Sequence, residues 1–402
     1  MASSVTPAQR DRLLAGGLVA VAVSIAVMLV WALTRPSGPG MLGDLEIYKG
    51  AISSALSGQP LYDWVYVHPT VHGLGFTYPP FAALVLAWLV PMELLTAKVI
   101  WTVLTFAVAI ACLALLVRTA LVAQHPEVAP SPAGQVAWTA GLAIPFLLSY
   151  PFLHDLVVGQ VSLFVIALAL FDHQLPRRWQ GVLIGLAAAI KLTPLVFVPY
   201  FLITRQWRQA AVALGTFLGA SLIAFVVMPQ ASVAYWTDKL WQTGRVGRTD
   251  STVNKSLLGL LVRGWGDGTA VHLIWLLLAA GVAVLAYWWA WRSYRSGDLL
   301  GATLMVGSLS VAVSPISWPH HQLWLVLVAA WWLLQPRLLS RVLGGLLFAI
   351  FVDYPAFGDY GGMPGLVAAN VELPSLAVLV VLACGPRSAS VRAVGSGGRE
   401  VV

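Results

Sequence analysis

Asp44 and Glu46 lie two residues apart in the string Gly43-Asp44-Leu45-Glu46-Ile47-Tyr48, just beyond a long apolar stretch, and Tyr62, Phe76 and Tyr78 follow within a short polar segment. A carboxylate at a boundary between water and membrane is partly desolvated, which moves its pKa toward working pH and suits it to accept a proton as a general base. Residues two apart on a helix point in different directions, so at most one of the pair faces a given cavity. Asp44 is the candidate base and Glu46 the alternative. The competing structural reading makes Asp44 the N-cap of a surface helix, and Asp63, beside Trp64, a turn former.

The group that would complement a base is an anion-binding cation. Lys191 falls inside an apolar window, within Lys191-Leu192-Thr193-Pro194. A lysine there costs a few kcal/mol unless it snorkels, pairs or faces a wet cavity. Its type suits a phosphate; the structural alternative is a pair with Asp155. His320 and His321 sit together at Ser317-Trp318-Pro319-His320-His321. Adjacent helical residues diverge by about 100°, so the two histidines do not chelate one metal, and no Cys, Asp or Glu stands at ligand spacing. No metal and no cofactor is expected, and one histidine of the pair is expected to face the cavity as a phosphate donor. Gln160, after Gly159, and Asp155 place an amide and a carboxylate at a helix break, suited to sugar hydroxyls or equally to helix capping, and Tyr62 and Tyr78 offer aromatic faces for sugar or acceptor. Asn254 and Lys255 open a segment after a loop holding Arg245, Arg248 and Asp250; Asn254 is a candidate to bind sugar or acceptor, and the cations suit a lipid phosphate or anionic headgroups.

The elements that must position these groups are set by composition. Of 402 residues 59% are hydrophobic and 10% charged, with mean hydropathy +0.83, which excludes a water-soluble domain. The expected fold is an all-α integral membrane protein, a single polytopic domain over 1–402. Windows of about 20 apolar residues recur about 11–13 times. Cys112 and Cys384 lie in such windows and read as small buried hydrophobes. The net charge of +7 comes from basic residues in short loops, explained by the positive-inside rule rather than by a polyanionic partner such as nucleic acid. Residues 1–12 then lie in the cytoplasm, 13–33 form a first helix, 34–76 form an outer loop carrying a surface helix near Leu45–Leu56, and 385–402 form a cytoplasmic tail. Residues 180–204 are too short for two crossings and contain Lys191 and Pro194, so a broken or re-entrant pair is expected. Residues 77–118 leave two readings open: either 77–90 spans only part way, or Arg118 lies outside.

The strings FTYPPFAALVLAWLVP, DLVVGQVSLFVIAL, GVLIGLAAAIKLTPLVFVPYFLITRQWR, NKSLLGLL and SPISWPHHQLW, in that order, resemble glycosyltransferase family 87. Within it the chain looks most similar to actinobacterial alpha-1,2-mannosyltransferases that elaborate phosphatidylinositol mannosides and lipomannan. The resemblance covers roughly residues 40 to 335. It implies a GT-C-type bundle, a polyprenyl-phosphate mannose donor, a glycolipid acceptor, and a plasma-membrane enzyme working at the outer face. It also implies a catalytic acid at Asp44 and a cavity lined by Gln160, Lys191 and one of the two histidines. Two acids in GDLEIY leave Glu46 able to share or replace the role of Asp44.

The chemistry implied is inverting transfer to the acceptor's 2-hydroxyl. A phosphate monoester leaves as a stabilised anion, so one base suffices and Lys191, a histidine, Lys255 and Arg248 meet the charge. Two other readings remain: the same chemistry with polyprenyl-phosphate arabinofuranose, and a transporter or flippase of a lipid-linked sugar, which also predicts broken helices and an intramembrane lysine. The second lacks a visible inverted repeat.

Overall fold

A computed structural model of the chain describes residues 42–68, 71–124 and 131–353, with isolated positions 19 and 22. The expected first helix at 13–33, Cys384 and the tail at 385–402 lie outside the described residues.

The protein is helical nearly throughout. Helix α1 (Gly43–Leu56) is followed by a two-stranded antiparallel hairpin, β1 (Val65–His68) and β2 (Val71–Gly75), in which Val65 opposes Gly75 and Tyr66 opposes Leu74. Then come α2 (Pro80–Leu86), α3 (Leu94–Gln124), α4 (Pro132–Leu147), α5 (Tyr150–Val158) and α6 (Ser162–Phe171). After these are α7 (Val182–Ile190), α8 (Phe197–Ile203), α9 (Trp207–Val227) and α10 (Pro229–Thr237). The last described are α11 (Leu257–Trp265), α12 (Thr269–Arg295), α13 (Leu299–Val313), α14 (Leu323–Leu333) and α15 (Leu338–Asp353).

Among the described residues α3, α9 and α12 are long and apolar enough to cross a membrane unbroken, and α4 with α5 forms a span bent by 73°. The other apolar helices are shorter and interrupted. Hydropathy counts apolar windows and is blind to such breaks, which the site requires. The bend between α4 and α5 falls at extended Ser149, just before Pro151, whose ring removes the N–H that would continue the helix onto the Leu147 carbonyl. Likewise α7 stops at Ile190, Lys191 is extended at φ −148° and ψ 124°, and the chain resumes as a 3₁₀ turn at Thr193–Val196 containing Pro194. This is the broken pair expected over 180–204.

Of the two readings left open at 77–118, the length of the first piece accords with the partial span. Pro80–Leu89 is a short apolar piece, spanning about 15 Å at 1.5 Å per residue, half of a bilayer core. It turns back into α3, so Arg118 lies toward the far end of that helix.

Helix α1 buries Leu45, Tyr48 and Ile52 on one face, each contributing about 2 kcal/mol relative to a wet position. They pack with Phe76, Tyr78 and Trp101 in a core beneath the first loop. Lys49 ties the helix down by donating to the carbonyls of Leu89, Val90 and Met92. The expected surface helix is therefore docked on protein. The β-hairpin was not expected: its strands are four and five residues long, and its exposed Val65 and Val67 read as membrane contacts in a chain this apolar.

Basic residues collect at the end of the bundle remote from α1. Asp172, at the far end of α6, accepts hydrogen bonds from the Gly181 and Leu183 amides at the start of α7. Arg208 reaches the Arg178 carbonyl at 3.4 Å, and Tyr200 packs on Tyr294 between Arg292 and Arg295.

Candidate active site

A cavity of about 260 Å³ opens between α1, the start of α2, the α5–α6 junction, the Lys191 break and the Trp318–His321 turn; Asp44, Tyr78, Gln160, Lys191, His320 and His321 all line it. Six residues spread over 278 positions of sequence thus face one another, where the sequence offered only separate motifs.

Asp44 is not the N-cap of α1. Leu42 takes that position in left-handed geometry at φ 57°, its amide bonded to the Val157 carbonyl, and Asp44 falls in the first helical turn. Helical spacing puts Asp44 on the same face as Tyr48, and that face lines the cavity. The carboxylate accepts a hydrogen bond from Gln160 Nε2. Burial is the largest influence on it and raises its pKa from 3.8 to about 6, against smaller opposing effects of the Gln160 bond and the Lys191 charge.

Gln160 is held by the close of α5. Gly159 adopts φ +73° as the left-handed cap, and a Cβ there would lie 2.8 Å from Leu42 Cδ2 and 3.1 Å from Leu45 Cβ. Only glycine satisfies both the conformation and the close approach. The contact brings α1 onto the α5 terminus and so sets Asp44 against Gln160. Tyr78 completes the wall, donating from its hydroxyl to Gln160 Oε1 at 2.6 Å, with Tyr48 donating to Tyr78.

Glu46 points elsewhere. It pairs with Lys98 at 2.6 Å and accepts from Tyr66 at 3.2 Å, fastening α1 to α3 and to the hairpin. It does not line the cavity.

On the opposite wall, Lys191 Nζ donates to Ser162 Oγ at 3.0 Å and lies 2.8 Å from His321 Nε2, with the Tyr78 ring 5.5 Å away. It makes no direct ion pair with Asp155, whose carboxylate is fully buried behind the wall and feels the lysine through space. The Trp318 amide donates to His321 Nδ1 at 3.1 Å, which places the ring proton of neutral His321 on Nε2. At 2.8 Å the imidazole N–H is directed at the lysine amine, so the two share one proton, and the hydrogens remaining on the amine are the ones that can reach an acceptor oxygen in the cavity. Both histidines face the cavity, where one was expected: the Pro319–Gln322 turn is a 3₁₀ helix docked against α5, so each ring meets a wall residue.

Other expected residues are not brought in. Arg248 is largely exposed and paired with Asp250 at 2.6 Å; it lines a separate outer cleft with Asp267 and His272. Lys255 is buried with its amine on the Thr252 carbonyl. Asn254, expected to touch sugar, instead donates to the Thr249 and Pro315 carbonyls and accepts from the Ser256 and Ser317 amides; these bonds engage both ends of the amide and pin the turn that carries the histidines. Tyr62 stacks on Tyr235 and donates to the Tyr78 carbonyl, supporting the wall from behind. Of the loop cations it is Arg245 that lines the cavity, and His154, which was not a candidate, lines it too. Arg245 donates to the Phe76 carbonyl and lies over the Tyr62 ring, and His154 meets His320. Each sits in a stretch the sequence had marked, Arg245 near Arg248 and His154 beside Asp155, but only packing selects between such neighbours.

Among the described residues no three His, Cys, Asp or Glu side chains are grouped to hold a metal. A second cavity, almost wholly apolar and about 600 Å³, runs beside the first along α6 from Val161 to Phe171, walled by Trp101 and Ala111 of α3 and by Ile190 of α7.

Residues 76–315, more than half of the chain, match the family model described as Glycosyltransferase family 87. The chain belongs to glycosyltransferase family 87. Its relatives within curated proteins agree. It is 31% identical, over 87% of this chain and 79% of the relative, to a polyprenol-phosphate-mannose-dependent alpha-(1-2)-phosphatidylinositol pentamannoside mannosyltransferase of Mycobacterium tuberculosis. It is 32% identical, over 70% of this chain and 68% of the relative, to a polyprenol-phosphate-mannose-dependent alpha-(1-2)-phosphatidylinositol mannoside mannosyltransferase of the same species. An alpha-(1->3)-arabinofuranosyltransferase of Corynebacterium glutamicum is 26% identical over 73% of this chain and 72% of its own length. No solved structure matches the chain significantly. This family 87 member is a membrane glycosyltransferase, as its sequence motifs implied.

Proposed function

We propose that the protein transfers mannose from polyprenyl-phosphate mannose to a glycolipid acceptor of the phosphatidylinositol mannoside or lipomannan class, forming an alpha-1,2 linkage with inversion at the outer face of the plasma membrane. The observation that carries this reading is one cavity holding a desolvated carboxylate, Asp44, on one wall and the hydrogen-bonded pair of Lys191 and His321 on the other. Inversion needs the nucleophile and the leaving group on opposite faces of the sugar. Asp44 accepts the proton of the acceptor hydroxyl as its oxygen bonds to the anomeric carbon. The bond from that carbon to the donor phosphate oxygen breaks, and its electron pair leaves with the polyprenyl phosphate. The Lys191 amine, seated against His321, stabilises that charge.

The apolar groove beside the cavity supports a lipid-linked donor. It starts at Val161 and Ile190, the immediate neighbours of Gln160 and Lys191, so an isoprenoid chain can lie along α6 while its phosphate reaches the lysine. The outer-face assignment is supported by the basic clusters at the opposite end of the bundle, which the positive-inside rule puts in the cytoplasm. Stronger similarity to the mannosyltransferases than to the arabinofuranosyltransferase favours mannose.

Mass spectrometry of glycolipids from cells lacking the protein, complemented with wild-type or Asp44→Asn chain, tests the reading. Loss of a mannose-bearing lipid, restored by wild type alone, is expected. Loss of arabinose alone overturns the donor, and full complementation by Asp44→Asn overturns the base.

A further inference from the structure

His154 and His320 meet at the cavity wall with Nδ1 3.2 Å from Nδ1 and ring centroids 5.3 Å apart. Two imidazole nitrogens at that distance share one proton, because two lone pairs or two N–H groups facing each other repel. The direction of that bond fixes what the far nitrogen of His320 can do. His320 is 2% exposed, and its Nε2 is buried without a partner, although the residue lines the cavity. A buried polar atom left unpaired calls for an explanation, and one on a residue that borders a cavity can be met by a group bound there.

If His320 were the donor, its Nε2 would carry a lone pair and face the leaving anion with like polarity. If His154 is the donor, Nε2 carries the proton. The adjacent His321 is already set in that sense, its Nδ1 occupied by the Trp318 amide. We propose that His154 donates its Nδ1–H to His320 Nδ1 and so locks His320 in the Nε2–H tautomer, which presents a hydrogen-bond donor to the phosphate oxygen of the departing lipid. His154 acts through His320 and is a positioning residue. Its own ring is fixed from one turn of α5 away, where Tyr150 packs edge-on at 5.7 Å. The role assigned to the donor rests on the proposed mannosyl transfer; the tautomer does not.

The test uses the full-length protein in lipid nanodiscs with ¹⁵N-labelled histidine, the His320 signals being assigned by their loss in His320→Gln. Wild type should show His320 protonated on Nε2. His154→Leu should lose that single tautomer and lower kcat about ten-fold or more, within the range for weakening one oxyanion donor, with KM for the glycolipid acceptor unchanged. His154→Asn, whose amide can place a donor near the position of Nδ1, should recover both the tautomer and most of kcat. If His154→Leu does not fold, His154→Phe serves in its place. An Nδ1–H tautomer in wild type overturns the proposal, as does an Asn variant no better than Leu. Absence of mannosyl transfer by wild type with the Nε2–H tautomer intact would instead overturn the proposed reaction.

Discussion

At the scale of single residues, Asp44 carries two opposed influences. The first turn of a helix favours a carboxylate by its dipole, but burial prevails and holds the pKa near 6. A base works only when deprotonated, so kcat/KM should fall about ten-fold per unit below pH 6 and level off above it, as a pH–rate profile would show. Removing the Gln160 donor takes away a group that lowers this pKa; Gln160→Leu should therefore move the acid limb to higher pH, and a limb that stays put would argue that another group titrates. Asp44→Asn should cost at least about 10³-fold in turnover. Glu46→Gln should leave turnover within a few-fold and lower the melting temperature, since it breaks a half-buried pair with Lys98 worth about 1 kcal/mol. Sequence put both acids in view but left the base open between them; the helical phase of α1 against its neighbours separates them.

At the scale of elements, the site depends on how closely α1 sits on the end of α5. Gly159→Ala adds a Cβ 2.8 Å from Leu42 Cδ2 and strains a left-handed residue by about 1 kcal/mol. Because the contact sets Asp44 against Gln160, kcat should drop more than thermal stability does, and the reverse ordering would count against this account. The apolar groove along α6 yields a second expectation. Ala167→Trp should fill it and raise KM for a long-chain polyprenyl-phosphate mannose while sparing a short-chain one; equal effects on both would place the lipid elsewhere. The break at Lys191 was legible because Lys and Pro are costly in an apolar window. The hairpin was not, since its apolar strands resemble everything around them.

At the scale of the whole molecule, the cavity and the basic clusters occupy opposite ends of the bundle. In a cysteine-free background, Arg248→Cys in intact cells should react with a membrane-impermeant maleimide, whereas Arg208→Cys should react only after the membrane is opened. The opposite pattern would turn the active site to the cytoplasm.

Composition alone determined that this chain lives in a membrane, because no surface so poor in charge can face water. Local chemistry determined where helices break and which residue types deal with protons and anions, and family motifs gave the class of reaction. The tertiary structure decided which of these residues meet. Asp44, Gln160, Lys191, His154, His320 and His321 come from distant segments, and their convergence rests on long-range contacts: Gly159 against Leu42, Asn254 against the turn before His320, and Lys191 against His321. Asn254, Lys255 and Glu46 look equally chemical in sequence, yet their polar atoms are engaged in holding the fold. Hydrogen-bonding capacity is allotted by packing, which no single segment contains.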